Sequence, residues 1–276
     1  MSEQKARVLI VGTGSFGTMS GYALEQGGKA EVTAVMRSNY EAVKANGVNI
    51  DSVQHGNGIR FRPINQRNQH REAHHPRFPT NPIISSVSFV GATTLSHCDI
   101  LHDDPDDQKI GPFSSPGVPA QVAEDAAKRY IDIYNPHGKL DLIYDADVRR
   151  CRWRKLLYNG SYNPVSTILR MDTPRMRMSA HVIDDLIRPI MKEILAAARA
   201  DIVTDFTDNL VESDIEKGNL FEVENIVEET LREGEAKSVP MPTLRTVYGI
   251  LKGLQLQFKE SKGLWKPKFT VDNPYQ

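Results

Sequence analysis

The stretch RVLIVGTGSFG, residues 7–17, limits the fold of this chain more than any other. A short apolar run, Val8–Val11, leads straight into the pattern Gly12-x-Gly14-x-x-Gly17. The segment TMSGYALEQGG reads as a helix closed by Gly27 and Gly28, and EVTAVM (Glu31–Met36) reads as a second strand. A buried strand, a tight turn, a helix and a second strand in this order open a doubly wound α/β sheet. Gly12 allows the tight turn, Gly14 lets the backbone approach a pyrophosphate, and Gly17 lets the helix pack close to the strand. The helix start adds free amides and the positive end of its dipole. A glycine-rich turn without a ligand is the plainer alternative. The full strand–turn–helix–strand context favours a dinucleotide held by Gly12, Thr13, Gly14, Ser15, Phe16 and Gly17.

The residues after the second strand select among dinucleotides. An NAD site places an acid there for the ribose hydroxyls, whereas this chain has Arg37, Ser38 and Asn39. A guanidinium with small hydroxyl and amide groups suits a 2′-phosphate, so NADP(H) is the expected cofactor. The alternative is a merely solvated strand-end arginine. The 276 residues suffice for one large domain or two smaller ones. Lysines and arginines number 34 against 35 acidic residues, so bulk charge gives no support for a nucleic-acid partner. Cys98 and Cys151 have no spacing for a disulfide framework or a metal site. No apolar run has the length of a signal-peptide core or a membrane span. These features lead to the expectation of a cytoplasmic protein with no metal and no membrane partner.

The second half holds CRWRKLLYNGSYNPVSTIL, residues 151–169, which reads as a helix. At roughly 100° per residue, Lys155, Asn159 and Asn163 fall within about 80° on one face. Trp153, Leu156, Leu157 and Val165 give that stripe apolar surroundings. A solvated helix face is the bland reading of the same spacing. Pro164 interrupts the pattern and offers another account of Asn163, as a local turn residue. Further on, HVIDDLIRPIMKEILAAARA has the periodicity of an amphipathic helix and provides a second core.

The motif W-x-K-L-x-x-N-x-x-x-N-P at residues 153–164 resembles the signature of ketopantoate reductases (2-dehydropantoate 2-reductases). VLIVGTGSFG and Arg37 agree with that family, as do FPTNPIISSVSFVGA (78–92) and HDDPDDQKIGPF (102–113). DIEKGNLFEVENIV (214–227) and VPMPTLRTVYGILKGLQ (239–255) extend the resemblance over most of the chain. It implies a shortened Rossmann-like parallel sheet over about residues 1–146. An all-helical domain, similar to that of 6-phosphogluconate dehydrogenases, would follow over 147–276, with the Lys155 helix lining the cleft between them. It also implies that NADPH reduces the ketone of a small 2-oxo acid, ketopantoate to pantoate for pantothenate synthesis. Lys155 falls on the family's general acid, Glu222 on its catalytic carboxylate, and Asn159, Asn163 and Asp214 on substrate-binding positions. A homodimer, a different branched 2-oxo acid, and a non-catalytic truncated relative that serves as a binding or dimerisation module stay open beside this reading.

Two departures from the family pattern stand out. Leu210 occupies the place of a serine that touches the substrate carboxylate, with Ser213 three residues along, and Glu228 and Ser238 stand where glycines are expected. The larger departure follows Pro63. After the helix NYEAVKAN and a hairpin over GVNIDSVQHGNGIRFRP, the family continues with further strands, one ending in Thr-Lys and another in Gln-Asn-Gly. Neither sequence occurs here. INQRNQHREAHHPR (64–77) has no strand alternation and no apolar helical face, and it reads as a structureless polar bridge. His70 and His74, with Glu72 or His75, lack the converging ligand set of a zinc site. Two strand–helix units, very roughly 30 residues each, are expected to be missing, with apolar sheet surface left bare.

Overall fold

A computed structural model of the chain describes residues 4–63, 65–68, 80–113, 117–202 and 224–265. The chain divides into two compact units, Met1–Cys151 and Arg152–Gln276. The first opens with β1 (Ala6–Val11), α1 (Ser15–Gln26) and β2 (Ala30–Met36), with Gly27 closing α1. β1 and β2 are parallel, in register from Ala6 opposite Ala30 to Val11 opposite Val35. Val8 and Ile10 pack against the cluster formed by Ala23 and Leu24 of α1 and Ala30 and Val32 of β2. After α2 (Tyr40–Asn46) comes the expected antiparallel hairpin of β3 (Val48–Ser52) and β4 (Gly56–Phe61).

The stretch after Pro63 departs from its reading as a structureless bridge. Asn65–Asn68 forms a short strand, β5, parallel to β2, with Asn65 opposite Thr33 and Asn68 opposite Met36. A ladder is made by backbone N–H and C=O groups, so a four-residue polar segment can add to an open edge without apolar alternation. Residues 69–79, with His70, His74 and His75, lie outside the described residues.

The resulting sheet has three strands in the order β1-β2-β5, with β1 at one end. In a doubly wound sheet the first strand normally has a neighbour on each side. Here, among the described residues, β1 pairs only with β2. Leu9 and Val11, on the β1 face opposite Val8 and Ile10, are 61% and 44% exposed. Apolar sheet surface is bare beside the missing neighbour, as the absence of strand–helix units predicts.

A second sheet, ordered β4-β3-β7-β6, is built on β6 (Ile83–Thr94) and β7 (Asp99–Phe113), with β8 (Asp141–Tyr144) also along β7. Ile100, His102, Asp106, Gln108 and Ile110 alternate along one buried face of β7. Asp106 accepts hydrogen bonds from Gln108 Nε2 at 2.8 Å and from Tyr134 Oη of α3 (Ala120–Tyr134) at 2.7 Å. Ser52 Oγ accepts the amides of Gln54 and His55 and is hydrogen-bonded to His102 Nδ1 at 2.7 Å. Burial pushes the His102 and His55 imidazoles below their usual range. His102, Asp106 and Gln108 of the HDDPDDQ motif thus form a buried polar seam inside this unit, while Asp103, Asp104 and Pro105 are exposed.

The second unit contains most of α4 (Val148–Leu169), then α5 (Thr173–Met176), a π-helical turn (Val182–Ile187), α6 (Arg188–Asp201), α7 (Glu224–Ala236) and α8 (Pro242–Ser261). Its core joins Trp153, Leu157 and Val165 to Ile190, Ile194, Leu231 and Leu244. The periodicity over 181–200 holds, although its first turn is wound as π-helix. α8 starts with Pro242 behind Met241, which has no oxygen to cap it. Glu193 of α6 fills that role, accepting the amides of Thr243 and Leu244 at 2.9 Å each. No helix among the described residues is long and apolar enough to cross a membrane.

Ser238, one of the two residues in place of a family glycine, adopts φ +56° just after α7. Its backbone lies in the left-handed conformation that commonly ends a helix and suits glycine. Ser238→Gly is therefore expected to stabilise the protein by about 1 kcal/mol, read as a higher midpoint in urea with an unchanged slope. An unchanged midpoint would contradict this. Glu228, the other such residue, is simply exposed on α7.

Candidate active site

The glycine turn is built as its spacing requires. Gly12 takes φ +94°, and its amide donates to Val35 O at 3.3 Å, which fastens the turn to the end of β2. A Cβ on Gly17 would lie 1.9 Å from Gly12 O, so α1 touches the turn at a separation that only glycine permits. Among the described residues no backbone acceptor takes the amides of Thr13 to Gly17. Gly14 and Phe16 are exposed, Ser15 is half-buried and Thr13 is buried. Five amides at the start of a twelve-residue helix make an anion-binding end. The residues present therefore fit a pyrophosphate. Arg37 and Ser38 are exposed at the end of β2, where an arginine can reach a phosphate on the adenosine ribose. Asn39 does not join them, because its Nδ2 donates to Thr13 O at 3.0 Å.

In the second unit, Lys155, Asn159 and Asn163 lie on α4, which continues through Pro164. The proline is an interior residue of the helix, and Asn163 is not a turn residue. Trp153, Leu157 and Val165 hold the helix in the core, and α6 comes so close that a Cβ on Gly160 would meet Ile194 Cδ1 at 2.8 Å. Packing of this kind offsets the proline's missing donor. Trp153 Nε1 donates to Asp201 Oδ2 at 2.9 Å, which ties the start of α4 to the end of α6.

Burial deepens along the polar stripe. Lys155 and Asn159 are half-buried, while Asn163 is 1% exposed. Asn163 Nδ2 is buried without a hydrogen-bond partner among the described residues, and Pro164 has no N–H to give to Gly160 O. An unmatched buried donor costs about 1–3 kcal/mol, so a native structure that keeps one has a reason for it, a functional role or an ordered water among them. This observation distinguishes the stripe from a solvated helix face. Glu222 and Asp214, with Leu210 and Ser213, lie outside the described residues.

Two family models match the chain. Residues 8–76 match ketopantoate reductase PanE/ApbA, and residues 147–255 match the ketopantoate reductase PanE/ApbA C terminal. The chain belongs to the ketopantoate reductase family. A 2-dehydropantoate 2-reductase from Methylococcus capsulatus is similar at 25% identity and a TM-score of 0.72, over 90% of this chain and 97% of that one. A D-mandelate dehydrogenase bound to NADH and anilino(oxo)acetate shares the fold, with a TM-score of 0.72 at 14% identity, over 90% of this chain and 97% of that one.

An uncharacterized protein of Saccharomyces cerevisiae is 24% identical over 95% of this chain and 97% of its own length. That alignment runs to 349 positions, although this chain has 276 residues. More than seventy positions of that yeast protein therefore have no counterpart here. The shortfall is of the size expected for two absent strand–helix units, and the open edge of β1 fits the same loss.

The sequence reading missed the bond from Asn39 to the turn. An asparagine at the start of a helix ordinarily serves that helix. Asn39 stands at the start of α2 and makes no capping bond to it, so sequence gave no sign of a partner 26 residues earlier.

Proposed function

We propose that this chain reduces a 2-oxo acid to the 2-hydroxy acid with NADPH, 2-dehydropantoate to pantoate being the favoured pair, and that it does so weakly. The observation that carries the reading is the stripe on α4 ending in the unpartnered Asn163 amide, held by a family that the matched models identify. When bound, NADPH would supply the hydride. Lys155 would donate a proton to the oxygen of the reacting ketone, where negative charge develops. Asn159 and Asn163 would hold the substrate's polar groups, with Asn163 gaining the acceptor it lacks. Asp214 and Glu222 keep the substrate-side roles that the family pattern gives them.

NADP(H) over NAD(H) rests on Arg37, whereas the D-mandelate dehydrogenase of the same fold is bound to NADH. The open β1 edge favours a second reading: a catalytically impaired relative whose helical unit serves as a binding or dimerisation module. A homodimer belongs with either.

Purified chain titrated with NADPH, and then assayed for ketopantoate-dependent NADPH oxidation, separates these readings. Measurable but slow turnover is expected. Lys155→Ala should lower it by about 10²–10⁴-fold, the usual range for a positioned acid, with the helical circular dichroism unchanged. Turnover at ordinary enzyme rates would overturn the impairment, and an unaffected Lys155→Ala would remove the lysine from the chemistry.

A further inference from the structure

We infer that Asn39 is a positioning residue for the phosphate-binding turn, fixing the Thr13–Gly14 peptide so that the Gly14 amide faces the pyrophosphate; this rests on the dinucleotide reading above. The first observation is the bond itself. Asn39 Nδ2 donates to Thr13 O at 3.0 Å, and Thr18 Oγ1 of α1 reaches the same carbonyl at 3.4 Å. Two side chains from different elements thus converge on one carbonyl of the turn.

The second observation is what Asn39 leaves undone. It occupies the N-cap of α2, where an asparagine commonly accepts an amide of its own helix, yet it makes no such bond. Its carboxamide goes instead to the glycine turn, between the half-buried start of α2 and the buried Thr13.

Peptide geometry gives the consequence. In a planar trans peptide the C=O and the following N–H point in opposite directions. Drawing Thr13 O toward Asn39 and Thr18 turns the Gly14 N–H away from them, on an exposed residue with no backbone acceptor among the described residues. That amide belongs to the helix start where an anion binds. The turn is held ready before any ligand arrives, which lowers the ordering cost of binding. Asn39 thereby leaves the group that reads the 2′-phosphate. Arg37 and Ser38 stay available for that phosphate, while Asn39 serves a part that NADH and NADPH share.

The experiment uses the full chain and its N39A, N39D and R37A variants, with NADPH, NADH and adenosine 2′-monophosphate as titrants. It also follows hydrogen exchange, without ligand, of the turn's bonded amides, those of Gly12 (to Val35 O) and Thr18 (to Gly14 O). N39A should weaken NADPH and NADH alike by about tenfold, the effect of one lost hydrogen bond, and should leave adenosine 2′-monophosphate unchanged. N39D should do at least as much, since a carboxylate cannot donate to Thr13 O. R37A should act on NADPH and adenosine 2′-monophosphate and spare NADH. The amides of Gly12 and Thr18 should exchange faster in N39A.

A loss of adenosine 2′-monophosphate binding in N39A would place Asn39 on the phosphate and overturn the inference. Unchanged loop exchange would overturn it too. If the unsubstituted chain binds neither dinucleotide, the cofactor reading falls, and the exchange measurement still decides for or against the Asn39 clamp.

Discussion

Gly17→Ala is expected to weaken dinucleotide binding by about a hundredfold. The added methyl would sit 1.9 Å from Gly12 O and 3.0 Å from Gly12 C, and both are backbone atoms of the turn that holds the phosphate. No side chain can rotate away to make room. Either α1 moves off β1 or the turn opens, and both displace the amides of residues 13–17. Inserting a group into such close packing costs about 3 kcal/mol at the upper end of its usual range, equivalent to roughly a hundredfold in affinity. The helical unit has its own core of Trp153, Leu157, Ile190 and Ile194 and should keep its secondary structure. Calorimetric titration with NADPH, beside a circular dichroism spectrum, checks both parts. A Gly17→Ala protein that binds like its parent would show that the turn is not the phosphate site.

Restoring the absent strands should have the opposite effect. A chimera that replaces residues 64–77 with the corresponding strand–helix units of a complete family member gives β1 a partner and covers Leu9 and Val11. Burying what these side chains now expose contributes about 1 kcal/mol each, roughly half the value for a fully exposed side chain, and the paired edge adds backbone hydrogen bonds. NADPH affinity should rise by at least about tenfold, a 1.4 kcal/mol change. The thermal midpoint should rise by several degrees, and ketopantoate-dependent turnover should reach the ordinary enzymatic range. A chimera no more stable and no more active than the parent would show that the lost segment is not what limits this chain.

Much of the first unit was legible because its signals are local. Glycine spacing, a four-residue apolar run and helix-ending glycines place β1, α1 and β2 close to where they lie. The polar stripe of α4 was legible from its four-residue spacing, and its functional meaning came with the family motif. Three features were not legible, each because its cause is non-local. β5 forms from four polar residues because β2 offers an open edge. Pro164 stays inside α4 because core packing outweighs one missing donor. Asn39 finds Thr13 because the end of β2 returns to the turn at the end of β1. Ser238 is intermediate: its family position pointed to glycine, and its φ of +56° supplies the physical reason.

The unpaired edge of β1 has a consequence beyond chemistry. An open strand edge beside exposed Leu9 and Val11 is a template for adventitious pairing, the kind of surface that chaperones and proteases attend to. In a living cell the amount of this protein would then be set by surveillance of that edge. Its steady-state level would fall while that edge stays open and rise once the edge is paired.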